Sequence, residues 1–250
     1  MNNTSSTLPE KPPISKVSKV DLIAYRGATN GGNGIEPHTK EAIRQALLRG
    51  CDIHVDLSVT KDNRHILLSP DDLGGMFPAL YSFRNIIRTR PQTIYLARFI
   101  RGMVASLPHC EEIPRIYFNA GPGISPEEVI TSAADSGLDF AFCSPFRSIL
   151  ADAKAVIADE QLAVDLGYWS NGNGGNPLRV AQSIGAQYVI LPDKGGAHDG
   201  ELKSLFLRAR ASGIKLIPRD VSKGWRVDKL ADIGIELVIV NNLLMASGCR

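Results

Sequence analysis

Three cations stand where apolar runs end, beside glycine-rich segments, and that is an arrangement suited to gripping a phosphate. Arg26 follows the apolar stretch 20–24 and precedes the glycine- and asparagine-rich segment 28–34. Lys194 precedes the loop 195–200, Arg219 ends the run 215–219, and a third glycine-rich loop spans 170–176. Glycine lets backbone N–H groups converge on an oxyanion without side-chain obstruction, and arginine offers a bidentate fork. Taken singly, each cation also reads as a structural partner of a nearby carboxylate such as Asp56, Asp165 or Asp220.

His54 and Asp56 lie two apart, so on a strand both point to the same face. Facing a barrel interior, they would form a polar pair able to hold a divalent cation with Glu36. Carboxylates suit Mg²⁺ or Ca²⁺, whereas imidazole moves the preference toward softer metals. The competing reading has His54 buried and hydrogen-bonded and Asp56 paired with Arg26. His38, at the start of a helix, reads as a solvated surface histidine, the rival reading being an acid or base that reaches a substrate, and His65, His109 and His198 show no partner pattern. Tyr168-Trp169 closes a strand, where Trp169 lines a pocket against a sugar or glycerol face or simply packs. Ser69 lacks the strand–turn–helix context of a serine nucleophile.

The elements that must position these residues alternate. Short β-branched runs at 20–26, 52–59, 115–119, 139–144, 162–168, 188–193, 215–220 and 236–241 read as strands. Between them, 39–48, 93–107, 126–136, 147–159, 178–184, 200–211 and 224–233 have helical apolar spacing. Eight such strands predict an α/β fold, a closed (β/α)8 TIM barrel over 20–250, with a doubly wound open sheet as rival. Residues 1–19 are polar and proline-bearing and read as a flexible tail. The connection at about 70–114 exceeds what one barrel helix requires. It carries Arg84, Arg88, Arg90, Arg98 and Arg101 among aromatic and aliphatic residues. It reads as an ordinary helix with a solvated arginine face, or as a lid or interfacial helix meeting anionic head groups.

Composition narrows the class. A chain of 250 residues with 44% hydrophobic and 22% charged residues is an ordinary globular protein with a sizeable core. A formal net charge of +2 gives no electrostatic case for nucleic acid. Cys51, Cys110, Cys143 and Cys249 have no metal-type spacing and read as reduced, mostly buried cysteines. With no secretory pattern and no bilayer-length apolar segment, the expectation is a cytoplasmic protein without a transmembrane segment.

The stretch from Leu22 to Leu73 resembles the glycerophosphodiester phosphodiesterase family. Ile23-Ala24-Tyr25-Arg26-Gly27 is similar to its Ile-Ala-His-Arg-Gly opening. Pro37-His38-Thr39, leading into Glu41-Ala42-Ile43, matches its Glu-Asn-Thr motif, and His54-Val55-Asp56 and Thr60-Lys61-Asp62 match its Glu-x-Asp and Thr-Lys-Asp signatures. Ser69-Pro70-Asp71 falls where the family has His-Asp, and 234–241 resembles its closing segment. The resemblance implies a barrel of the phospholipase C-like type, a divalent metal (Mg or Ca), and two histidines acting as acid and base on a glycerol phosphodiester. Here both histidine positions are changed, to Tyr25 and Ser69, one glutamate has become His54, and the other falls on Pro37 with Glu36 displaced by one residue. Tyrosine and serine do not shuttle protons near neutrality.

The expectation is therefore a divergent phosphodiesterase-like barrel of lipid metabolism that binds a small-molecule phosphoester. If hydrolysis or transfer occurs, Arg26 stabilises the phosphoryl charge and His54 carries the proton. Asp56 and Glu36 then hold the cation, and Arg26, Lys194, Arg219 and Trp169 bind substrate. The alternative is an inactive barrel, a pseudoenzyme, that binds a phosphorylated ligand or a protein partner. A sugar-phosphate isomerase or aldolase using Lys194 as its amine is a third reading.

Overall fold

The computed structural model describes residues 20–28, 35–106, 113–171 and 175–241. Eight parallel strands follow one another around a sheet: β1 (Asp21–Tyr25), β2 (Asp52–Val59), β5 (Ile116–Ala120), β6 (Phe140–Ser144), β7 (Asp165–Trp169), β8 (Tyr188–Pro192), β9 (Lys215–Arg219) and β10 (Leu237–Val240). β10 pairs back onto β1 in parallel, with Ile23 opposite Ile239. The remaining seam lies just past β9. There Val221 donates to the Ile239 carbonyl at 3.3 Å and its own carbonyl accepts from Asn241 at 3.2 Å. The fold is the expected (β/α)8 barrel.

Helices α1 (Lys40–Leu47), α3 (Leu96–Ser106), α4 (Pro126–Asp135), α5 (Arg147–Asp159), α6 (Pro177–Ile184), α7 (Asp199–Ala211) and α8 (Gly224–Ile233) pack outside the strands. Their starts follow local chemistry. Ser125 accepts from the Glu128 N–H and is followed by Pro126, an N-cap and a first-turn proline together. Alternation along each strand divides the core. Outward residues such as Val55, Phe118 and Val189 meet the helices. Inward residues such as Ile23, Tyr117, Cys143, Trp169, Ile190 and Ile239 fill the barrel. At its lower end Arg115 binds Asp165 at 2.7 Å and the Tyr188 hydroxyl at 2.7 Å, closing the interior away from the mouth.

The long connection holds more than the one helix expected. β2 runs beyond the barrel, and β3 (His65–Leu67) pairs with it antiparallel, Leu57 opposite Leu67. β4 (Ile94–Tyr95) then adds to β3, and α2 (Phe83–Thr89) lies between them in the chain. Strands of three and two residues are too short for a visible alternation, and tertiary pairing alone defines them. The cysteine expectation fails for Cys51, which is disulfide-bonded, while Cys143 is a free, buried thiol. No helix among the described residues is long and apolar enough to cross a membrane. The tail 1–19, Cys110 and Cys249 lie outside the described residues.

Candidate functional site at the barrel mouth

The site is assembled at the C-terminal ends of the strands. Arg26 leaves β1 in a left-handed conformation, φ 57°, and Gly27 follows at φ 84°. A side chain at Gly27 would place its Cβ 2.7 Å from the Ala42 carbonyl carbon, so this turn presses directly on α1. The His38 N–H donates to the Arg26 carbonyl at 2.9 Å, and His38 is itself left-handed at φ 58°. Asp220, just past β9, is a third such residue at φ 67°. Backbone strain of this kind persists only where surrounding contacts over-determine it.

Those contacts form one network. The Arg26 Nε donates to Asp56 Oδ2 at 2.7 Å, and its two terminal nitrogens lie 3.3 Å from Asp71 and 3.5 Å from Asp72. The other Asp56 oxygen accepts from the Asn119 amide at 2.7 Å. His38 is buried rather than solvated as expected: its Nε2 accepts from the Asp56 backbone N–H at 2.9 Å, which leaves Nδ1 to donate to Asp72 at 2.9 Å. Asp72 also accepts from the Ser69 N–H at 2.8 Å.

Electrostatics follow from this packing. Burial alone would raise the Asp56 carboxyl, yet nearby His54, His38 and Arg26 and the Asn119 hydrogen bond hold it below its ordinary value. Arg26 and Asn119 are the partners that count near neutrality, because burial pushes His54 down to about 3 and leaves it neutral there. Burial likewise works against ionising Asp72, but hydrogen bonds from His38 and Ser69 and the Arg26 charge bring it to about 2. Burial drives the Tyr25 hydroxyl well above its ordinary value.

His54 is fully buried between two rings, stacked on Tyr25 at 5.1 Å and tilted against Trp169 at 4.8 Å. Neither of its nitrogens has a hydrogen-bond partner, and Nε2 stands 3.7 Å from Asp56 Oδ1. Other buried atoms at the mouth are equally unsatisfied, the Arg219 Nε and the Asn119 Oδ1 among them. The Arg219 guanidinium lies over the Trp169 ring at 4.9 Å and binds Asp220 through another nitrogen.

The remaining expected site residues lie apart from this network. Glu36 is half exposed and reaches Arg90 at 3.2 Å. Lys194 is exposed and lines a separate cleft of about 280 Å³ beside Leu191, Pro218 and Arg226. Arg226, absent from the sequence reading, is the buried cation of that region, with both terminal nitrogens and Nε on Asp193 and Asp199. Of the glycine-rich loops, 29–34 and 172–174 lie outside the described residues. Asp72 was also missed, since nothing in the chain signals its pairing with a histidine 34 residues earlier.

The donors present do not fit a divalent ion. Asp56 has an oxygen on Arg26 and the other on Asn119, and Glu36 is turned to Arg90. No group of three or more His, Cys, Asp or Glu side chains able to hold a metal occurs among the described residues.

No protein-family model matches the chain, and no curated protein does. Solved structures do. A Galdieria sulphuraria protein designated a glycerophosphodiester phosphodiesterase superposes with a TM-score of 0.72 at 16% identity, covering 92% of this chain and 97% of that one. The glycerophosphodiester phosphodiesterase of Parabacteroides distasonis gives 0.69 at 13% identity, with 90% and 94% covered. An Oleispira antarctica phosphodiesterase in complex with its product sn-glycerol-3-phosphate gives 0.67 at 14% identity, with 88% and 92% covered. The resemblance drawn from the motifs therefore holds in three dimensions: this chain has the fold of the glycerophosphodiester phosphodiesterases.

Proposed function

We propose that the chain is a non-hydrolytic barrel of the phosphodiesterase fold that binds a small phosphoester at its mouth. The observation that carries this reading is the state of the mouth's polar groups. Those that a hydrolase would use are committed inward, and a second set is buried without hydrogen-bond partners. Arg26 spends its donors on three carboxylates, His38 bridges Asp72 and the backbone, and Tyr25 and His54 do not exchange protons near neutrality. Against that, His54, Asn119 and Arg219 carry buried atoms without hydrogen-bond partners, and His54 and Arg219 lie against Trp169. Buried polar atoms are ordinarily satisfied, so such a cluster supports a polar ligand seated there. The guanidinium supplies the anion contact, and the Trp169 face supplies an apolar wall.

The Oleispira protein's product makes sn-glycerol-3-phosphate the first ligand to test. Calorimetry with excess EDTA should show saturable binding that weakens about tenfold or more in Arg219→Ala, the scale of one charge-assisted hydrogen bond. Metal-dependent release of an alcohol from glycerophosphocholine, abolished by Asp56→Asn, would instead establish hydrolysis and remove this reading.

A further inference from the structure

We infer that the mouth face of the barrel docks on an anionic phospholipid bilayer through the segment 76–88. This goes beyond the ligand reading and does not depend on it. Met76, Phe77 and Leu80 are 49%, 62% and 67% exposed within five residues. Side chains this exposed stand out into solvent, an apolar patch of the kind that marks an interaction surface. The tip is held at the mouth on both sides. Asp71 and Asp72, just before it, sit on Arg26, and the Tyr81 carbonyl, just after it, accepts from the Lys61 N–H at 2.8 Å at the end of the β2–β3 hairpin.

The segment that carries this tip is cationic, although exposed Asp71 precedes it and Asp62 accepts from the Phe83 N–H at 2.7 Å. Residues 73–106 contain Arg84, Arg88, Arg90, Arg98 and Arg101 and no aspartate or glutamate. Arg84 and Arg88 are four apart on the exposed face of α2, a like-charge spacing that disfavours the helix by itself. Neither forms an ion pair among the described residues. Exposed Lys61 adds a third cation beside Tyr81. Two further exposed aromatics share this face: Phe146 precedes α5 and Trp225 opens α8, both where a helix follows a strand's C-terminal end. Apolar tips with arginines behind them suit a bilayer interface, where rings enter the headgroup region and cations meet anionic lipid. A second chain or an acidic protein would not need the unsheltered apolar tip.

Flotation of the full chain with vesicles of phosphatidylcholine, with and without phosphatidylglycerol, tests this. Recovery with the anionic vesicles is expected at low salt, falling with added NaCl. Phe77→Asp with Leu80→Asp should reduce binding more than about tenfold, and Arg84→Gln with Arg88→Gln about fivefold per arginine. All four side chains lie on the outer surface, and circular dichroism with unchanged thermal unfolding verifies the fold of each variant. Failure of the anionic vesicles to retain the wild-type chain overturns the inference, even if the same surface captures a protein. So do equal retention by pure phosphatidylcholine and undiminished binding by either variant.

Discussion

At the scale of single residues, the mouth illustrates how packing sets the charge state of a titratable side chain. His54 stands where the family's motif has a glutamate, and it is wedged between Tyr25 and Trp169 with no solvent contact. An imidazole so placed is neutral, and burial sets its proton affinity at about 3 against an ordinary 6.5. Between those values the unfolded chain binds a proton at this position and the native chain does not, so native stability falls as pH falls. The slope is about 1.4 kcal/mol per pH unit, or roughly 3 kcal/mol between pH 6.5 and 4. Asp72 contributes separately and lower: its carboxyl is depressed to about 2, so its stabilisation is intact above the unfolded value near 4 and is lost only below it. Denaturant unfolding from pH 7 to 4 should thus show an early loss of stability, and His54→Phe should flatten that part of the curve. An unchanged slope in the variant would mean that His54 is not the group responsible.

At the scale of elements, the joint between β1 and α1 controls where Arg26 points. Gly27 adopts φ 84° with its α-carbon against Ala42, whose carbonyl also accepts from the Ala28 N–H at 2.8 Å. Gly27→Ala meets two costs, a left-handed conformation that an L side chain resists and a contact of 2.7 Å with backbone that cannot swing away. A loss of about 2–4 kcal/mol is expected, read as a lower urea midpoint at constant m-value. A shift under about 0.5 kcal/mol would show that the turn relaxes freely. Elements of this kind were the part most legible in the chain. The eight strands announced themselves as β-branched runs, and the helices between them by their apolar spacing. Arg26 and Asp56 were legible too, because each closes a motif. The β3–β4 addition, the Asp72–His38 bond and the Arg226 pairing with Asp193 and Asp199 were not. All three are made between segments distant in sequence, and no local periodicity encodes them.

At the scale of the whole molecule, the question is whether a barrel of this fold still couples its stability to a divalent cation. The carboxylates that crowd its mouth are Asp56, Asp71 and Asp72, and the guanidinium of Arg26 stands among all three. A cation entering there must displace that guanidinium or share oxygens already accepting from Asn119, His38 and the Ser69 N–H. Hard divalent ions want six or more oxygen ligands with few competing donors, and the mouth offers donors already seated. A resident ion at a hundred times its dissociation constant would stabilise the fold by about 2.7 kcal/mol. For a chain of this size that raises the melting temperature by roughly 5–10 °C. Millimolar Mg²⁺ or Ca²⁺ is instead expected to move it by less than about 1 °C relative to EDTA. Arg26→Ala should destabilise the protein in EDTA by removing the cation from three carboxylates, with Asp56 and Asp72 keeping only their bonds from Asn119, His38 and the Ser69 N–H, and Ca²⁺ should then restore part of the loss by taking the vacated position. A saturable shift of several degrees in the wild-type chain, lost in Asp56→Asn, would show that the guanidinium yields to metal and that a cation site lies beneath it.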